Sequence, residues 1–153
     1  MARVRVNQLL DASVHEAETC WCDVSRWPEW VDGLARVISV DGSWPEAGSE
    51  VIWQSGPAGR GRVSETVETY EPLHSLTVRV HDDAIEGRQQ VRFEPAAEGV
   101  QIELALEYRI TRRSPLTPLI ERLFVRRPMT ISLTKTLERF GTVLAKSRAS
   151  GLG

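Results

Sequence analysis

Between residues 34 and 110 the chain keeps a two-residue hydrophobic alternation broken by turn formers, and after residue 113 it changes to a helical period that lasts almost to the end. The last alternating stretch, Val100–Ile110, is the clearest. Val100, Ile102, Leu104, Leu106, Tyr108 and Ile110 fall on one face, and Gln101, Glu103, Glu107 and Arg109 on the other. A period of two marks a half-buried strand, and short connections between such strands make antiparallel neighbours with one wet face and one dry face. A dry sheet face has to be covered. The one long amphipathic element available is 116–144, where Leu116, Leu119, Ile120, Leu123 and Phe124 form a stripe that Leu133, Leu137, Phe140 and Leu144 continue. Pro128 interrupts it, removing a backbone donor and crowding the preceding turn. A kink, or a break into two helices, is therefore expected near Arg127.

The rest of the chain supplies the other elements. Arg3–Leu10 alternates, with Val4, Val6, Gln8 and Leu10 on one face and Arg3, Arg5, Asn7 and Leu9 on the other. Asp11 or Ser13 can cap a following helix, whose apolar face is Val14, Ala17, Trp21 and Val24. A second short helix is expected around Pro28–Gly33 with Ser25 as its cap, since proline suits a first turn and glycine an end. Further strands are expected at Leu34–Asp41, Glu50–Ser55, Arg62–Tyr70, Ser75–His81 and Gly87–Glu94. No repeat or low-complexity linker divides the chain, which reads as a single domain over 1–148 with a flexible tail over 149–153.

At 153 residues such a domain buries roughly 68–70% of the surface its unfolded chain exposes, enough to enclose a ligand. The basic start is followed by no 7–15-residue apolar stretch, and no run approaches a membrane span, so a soluble cytoplasmic protein is expected. Cys20 and Cys22 stand two apart on a helix and do not face each other, which argues against a disulfide or a metal clip. The net charge of −2 hides an asymmetry: residues 1–109 carry 10 Lys/Arg against 19 Asp/Glu, and residues 110–153 carry 9 against 2. Arg122, Arg126, Arg127, Lys135, Arg139 and Lys146 make the tail basic. That is either a solvated face complementing an acidic body or an attraction to an anionic membrane surface or acidic protein. The tail lacks the aromatic platform of a nucleic-acid binder, and a homodimer stays open.

The familiar catalytic patterns are missing. His15, His74 and His81 are scattered without metal spacing, and the glycines at 56–61 lack the Lys-Ser/Thr ending of a phosphate loop and lead into a strand. No cofactor and no metal is expected. The polar groups set among apolar strand residues are Gln8, Gln89, Tyr108 and Glu65. If Val63 and Val67 point inward, Glu65 becomes a partly buried carboxylate that needs a partner or a raised pKa. Glu65, Gln89 and Tyr108 are thus the weak candidates for acid–base work. Trp27 and Trp30, three residues apart around Pro28, suit the wall of a core or cavity.

The order of one strand, two short helices, six strands and a long C-terminal helix is that of the helix-grip fold, an α+β architecture in which a curved antiparallel sheet wraps around the last helix. The segments Leu10–Val14, Asp23–Trp30, Gly61–Pro72 and Val91–Pro95 resemble the START-like (SRPBCC) superfamily, particularly its polyketide cyclase/dehydrase and lipid-transport group. The resemblance implies a cavity between the concave sheet and the last helix. Its expected lining is Val78, Val80, Val91, Phe93, Leu104, Leu106 and Tyr108, facing Leu119, Ile120, Leu123 and Phe124, with Trp27 and Trp30 at one end. A pocket of ~300–1,000 Å³ is the usual size. The expected function is binding or carriage of a hydrophobic small molecule: a lipid, a quinone or a polyketide-like aromatic. The alternatives are a polyketide cyclase, aromatase or dehydratase, and an interaction module that uses the basic helix.

Overall fold

The computed structural model describes residues 2–57, 59–111 and 126–149. In chain order they form β1 (Ala2–Leu10), α1 (Val14–Cys22), a 3-10 turn (Val24–Arg26), α2 (Trp27–Trp30), β2 (Leu34–Val40), β3 (Glu50–Ser55), β4 (Arg62–Glu71), β5 (Ser75–His81), β6 (Ile85–Ala96), β7 (Gly99–Ile110) and α3 (Arg126–Ala149). The seven strands make one sheet in the order β1-β7-β6-β5-β4-β3-β2, and every pair is antiparallel. The curved sheet closes over α3, the helix-grip arrangement expected from the sequence. β6 runs beyond the expected Gly87–Glu94 at both ends. Pro95 still pairs with Val100, because a residue without an N–H is tolerated close to the end of a strand. At Gly87 the backbones crowd: a Cβ there would lie 2.0 Å from the Glu107 carbonyl oxygen.

The helix ends explain how the first third of the chain is positioned. Ser13 and Glu16 form a capping box, the Glu16 N–H donating to Ser13 Oγ at 3.0 Å and the Ser13 N–H to Glu16 Oε1 at 3.1 Å, so two orphan donors are satisfied together. The second helix departs from expectation. Ser25 does not cap it; instead Asp23 Oδ1 accepts from the Ser25 N–H (3.2 Å) and hydroxyl (2.5 Å) and opens the 3-10 turn. α2 then starts at Trp27, ends at Trp30 and has no side-chain cap. A carboxylate two residues upstream accepts more strongly than the serine hydroxyl, and the chain is already helical when it reaches Trp27. At the far end of α1, two of the carbonyls a helix leaves unsatisfied are taken by indoles: Trp27 Nε1–H donates to Trp21 O (2.8 Å) and Trp44 Nε1–H to Cys22 O (3.1 Å).

The core lies between the concave face and α3. Leu133, Leu137, Phe140 and Leu144 are buried as their stripe requires, while Val63, Val67, Val78, Val80, Val91, Phe93, Leu104, Leu106 and Tyr108 cover the sheet. Leu116, Leu119, Ile120, Leu123 and Phe124 lie outside the described residues, and Pro128 falls in the first described turn of α3. An aromatic cluster joins the layers: Trp21–Trp30 centroids are 4.6 Å apart, and Phe140 meets each of them at 5.0 Å, edge to face. Such pairs add ~0.5–1.5 kcal/mol each beyond their buried area. α1 is tied to the sheet by Glu18, whose carboxylate accepts from the Tyr70 hydroxyl (2.9 Å) and the Leu73 N–H (2.5 Å). Leu73 turns there with φ 65°. The basic charge of α3 is partly matched, Arg139 meeting Asp32 at 3.1 Å and Arg148 meeting Glu16 at 3.0 Å. Among the described residues no helix is long and apolar enough to cross a membrane.

Candidate functional site

At one end of the concave face a small cavity of about 40 Å³ is lined by α1, α2, α3 and strands β3 to β7. Its polar half is assembled by strand register. Trp53 on β3 pairs with Val63 on β4, so Glu65, two residues on, is the diagonal neighbour on the same face, within reach of a long side chain. Trp53 Nε1–H donates to Glu65 Oε2 at 2.7 Å, and both groups are buried. The 56–61 hairpin loop returns Arg60 over the Trp53 ring, 5.7 Å from its centroid. Arg60 Nε–H donates to Asp82 Oδ2 at 2.6 Å. Asp82, whose side chain is 0% exposed, also accepts the N–H groups of Ala84 (2.8 Å) and Ile85 (2.9 Å) through Oδ1. The loop needs Gly61, which stands at φ 73° where a Cβ would meet the Asp83 carboxylate.

The remaining wall mixes aromatic and aliphatic side chains with Asp32, Gln89, Ser132 and Thr136. Trp21, Trp27 and Trp30 come from the α1–α2 segment, Val80, Gln89 and Leu104 from the sheet, and Ser132, Leu133 and Thr136 from α3. Asp32 links this wall to the helix: Thr136 Oγ1 accepts its N–H at 3.0 Å, and its carboxylate accepts from the Ser132 hydroxyl at 2.7 Å. Burial pushes the Glu65 carboxyl up, while the Trp53 hydrogen bond and the nearby Arg60 charge pull it the other way. Burial prevails because desolvating a carboxylate costs several kcal/mol and Arg60 is already engaged with Asp82. The fold thus favours the protonated form of Glu65 more than water does. Arg60, 31% exposed along its side chain, and Asp32, 24% exposed, form the rim.

The structure gathers some of the expected residues and separates others. Trp27, Trp30, Val80, Leu104, Glu65 and Gln89 meet at the cavity. Val78, Val91, Phe93, Leu106 and Tyr108 are buried core residues off its lining. Gln8 is half-buried against α3, near Gly141. The cavity falls short of the pocket size expected, because indole rings and Phe140 occupy the end of the concave face. Trp53 and Arg60 were not foreseen. Trp53 is visible only once the β3–β4 register is known, and Arg60 sits in a glycine-rich loop with no periodicity of its own. Among the described residues no cluster of His, Cys, Asp or Glu could hold a metal ion. Cys20 and Cys22 are free thiols, and burial pushes Cys22 up to about 12.

Comparison with known proteins adds the lineage. Solved structures of the same shape include the protein TTHA0849 from Thermus thermophilus (19% identity, TM-score 0.74, covering 95% of this chain and 99% of that one). Norcoclaurine synthase from Thalictrum flavum, in complex with dopamine and hydroxybenzaldehyde, matches at 12% identity and TM-score 0.70, over 95% of this chain and 87% of that one. The di-domain ARO/CYC StfQ from the steffimycin biosynthetic pathway matches at 16% identity and TM-score 0.74, over 97% of this chain and 51% of that one. At these identities the likeness is one of fold. No curated protein matches the sequence. The family model for polyketide cyclase / dehydrase and lipid transport matches residues 1–145, and the chain belongs to that family.

Proposed function

We propose that the chain binds a hydrophobic small molecule, a lipid, quinone or polyketide-like aromatic, at the tryptophan-walled cavity between the sheet and α3. The observation that carries this is a small space at the concave face walled by four indoles and by Val31, Val80, Leu104 and Leu133, with polar side chains converging on it from the sheet, the 56–61 loop and α3, a mixture of apolar wall and placed polar groups that suits a ligand site. At about 40 Å³ the space takes a single water-sized group, so the body of a ligand enters by displacing lining side chains. Native mass spectrometry of freshly purified protein, followed by tryptophan quenching with a panel of lipids, quinones and aromatic polyketides, tests the reading. A retained apolar molecule or saturable quenching supports it. A protein that emerges empty and is quenched by none of the panel overturns it.

A second reading is favoured by Glu65 and by the activities printed for two structural relatives, an ARO/CYC and norcoclaurine synthase. In it the site orients a reactive poly-ketone, and Glu65, its pKa raised by burial, moves a proton while Gln89, on the same lining, positions a ligand oxygen. Tyr108, buried on β7, is not among the lining residues of this cavity. Turnover of a cyclising polyketide that is unchanged by Glu65→Gln and Gln89→Leu would remove the reading.

A further inference from the structure

Two residues that line the cavity carry buried hydrogen-bond donors without acceptors among the described residues. The Trp30 indole is 1% exposed, yet its Nε1–H has no acceptor among the described residues. The contrast with its neighbours is informative, since Trp27, Trp44 and Trp53 all have bonded N–H groups. Arg60 uses Nε on Asp82 and lays its guanidinium over Trp53, but its buried Nη2 has no acceptor either. Trp30 and Arg60 both line the same small space. Native folds leave few buried donors unsatisfied, and two on one cavity describe the partner they need.

We propose that this end of the cavity is an anchor for the carbonyl oxygen of an aromatic ketone or quinone, which accepts from Trp30 Nε1–H and Arg60 Nη2–H while its ring system packs among the tryptophans. This rests on the ligand-binding reading above and specifies its ligand. A carbonyl oxygen has two lone pairs for two donors, and the cavity is the size of one oxygen. The charge balance selects a neutral acceptor. Arg60 is already neutralised by the fully buried Asp82, and an added carboxylate would bring a second negative charge into the same low-dielectric space. The wall selects an aromatic body, because Trp21, Trp27, Trp30 and Trp53 present ring faces and edges that pair well with another ring.

Isothermal titration of the full chain with 2-acetylnaphthalene, 2-isopropylnaphthalene and 2-naphthoate separates the possibilities, since the three share a ring system and differ at the anchoring group. The ketone is expected to bind about tenfold or more tighter than the hydrocarbon, and tighter than the carboxylate. Arg60→Lys, which keeps a cation for Asp82 and removes the Nη2–H, should bring the ratio of ketone to hydrocarbon affinity down toward one. Trp30→Phe should do the same where it folds. Equal affinity for ketone and hydrocarbon overturns the anchor and leaves the apolar-ligand reading standing. Naphthoate binding tightest overturns the neutral-oxygen assignment. Binding of none of the three overturns the anchor and counts against the wider reading as well.

Discussion

Replacing Glu65 with glutamine tests the electrostatic account of the site through stability alone, with no ligand. The carboxyl is buried under Trp53, and its pKa is raised from the ordinary 4.5, with burial the leading cause. Against the several kcal/mol that desolvating the charged form costs stand one hydrogen bond from Trp53, worth ~1.5–3 kcal/mol to a charged acceptor, and an arginine that Asp82 already holds. The folded protein therefore retains a proton on Glu65 at pH values where the unfolded chain has released it. Native binds more protons than unfolded in that window, so stability is full below pH 4.5 and falls as pH rises, by up to ~1.4 kcal/mol per pH unit for one proton, until Glu65 ionises in the fold. Glutamine keeps the acceptor for Trp53 and cannot ionise. Urea unfolding of both proteins from pH 4.5 upward should show the Glu65→Gln variant gaining on the wild type as pH rises, then levelling. A difference that stays flat, or that moves toward the wild type with rising pH, would mean a carboxylate held charged by Arg60, and the account of a raised Glu65 pKa would fall.

Four further outcomes follow from the packing. Phe140→Ala removes a fully buried ring that meets Trp21 and Trp30 at 5.0 Å, and should cost ~3–5 kcal/mol in denaturant unfolding; a loss below ~1 kcal/mol would contradict the core described. Leu73→Gly relieves a φ of 65° at a side chain that is 45% exposed, so a gain of ~1 kcal/mol is expected, whereas Glu18→Ala should destabilise and speed amide exchange at Leu73. The Cys22 thiol, pushed up to about 12 by burial, should react with a disulfide reagent at pH 8 far more slowly in the native protein than in urea, and equal rates would refute its burial.

The strands from β4 to β7 were legible because they carry an alternation of their own, and the inward phase of Val63 and Val67 brought Glu65 with it. The buried stripe Leu133, Leu137, Phe140 and Leu144 was legible for the same reason, a period that tertiary contacts did not override. The site was harder. Trp53 lies on a strand where polar and apolar residues do not by themselves say which face is dry, and its role appears only when β3 is set against β4 with Trp53 opposite Val63. Arg60 is placed by a loop and by a partner in another loop, Asp82, a pairing that no local pattern encodes. The start of α2 was misplaced for a local reason: Asp23 and Ser25 both offer oxygens to the same turn, and propensity alone does not rank them.

The place of β1 in the sheet has a consequence for how the molecule comes into being. Strands β2 to β7 each lie beside their sequence neighbour, so they can zip together as hairpins while the chain is still emerging from the ribosome. β1 is made first, yet its partner is β7, with Val4 opposite Leu106. Its apolar face must wait for nearly the whole domain to be translated, and pairing across so long a separation is slow. Docking of the first strand against the last is thus a late step of folding, since the loop it closes spans nearly the whole sheet.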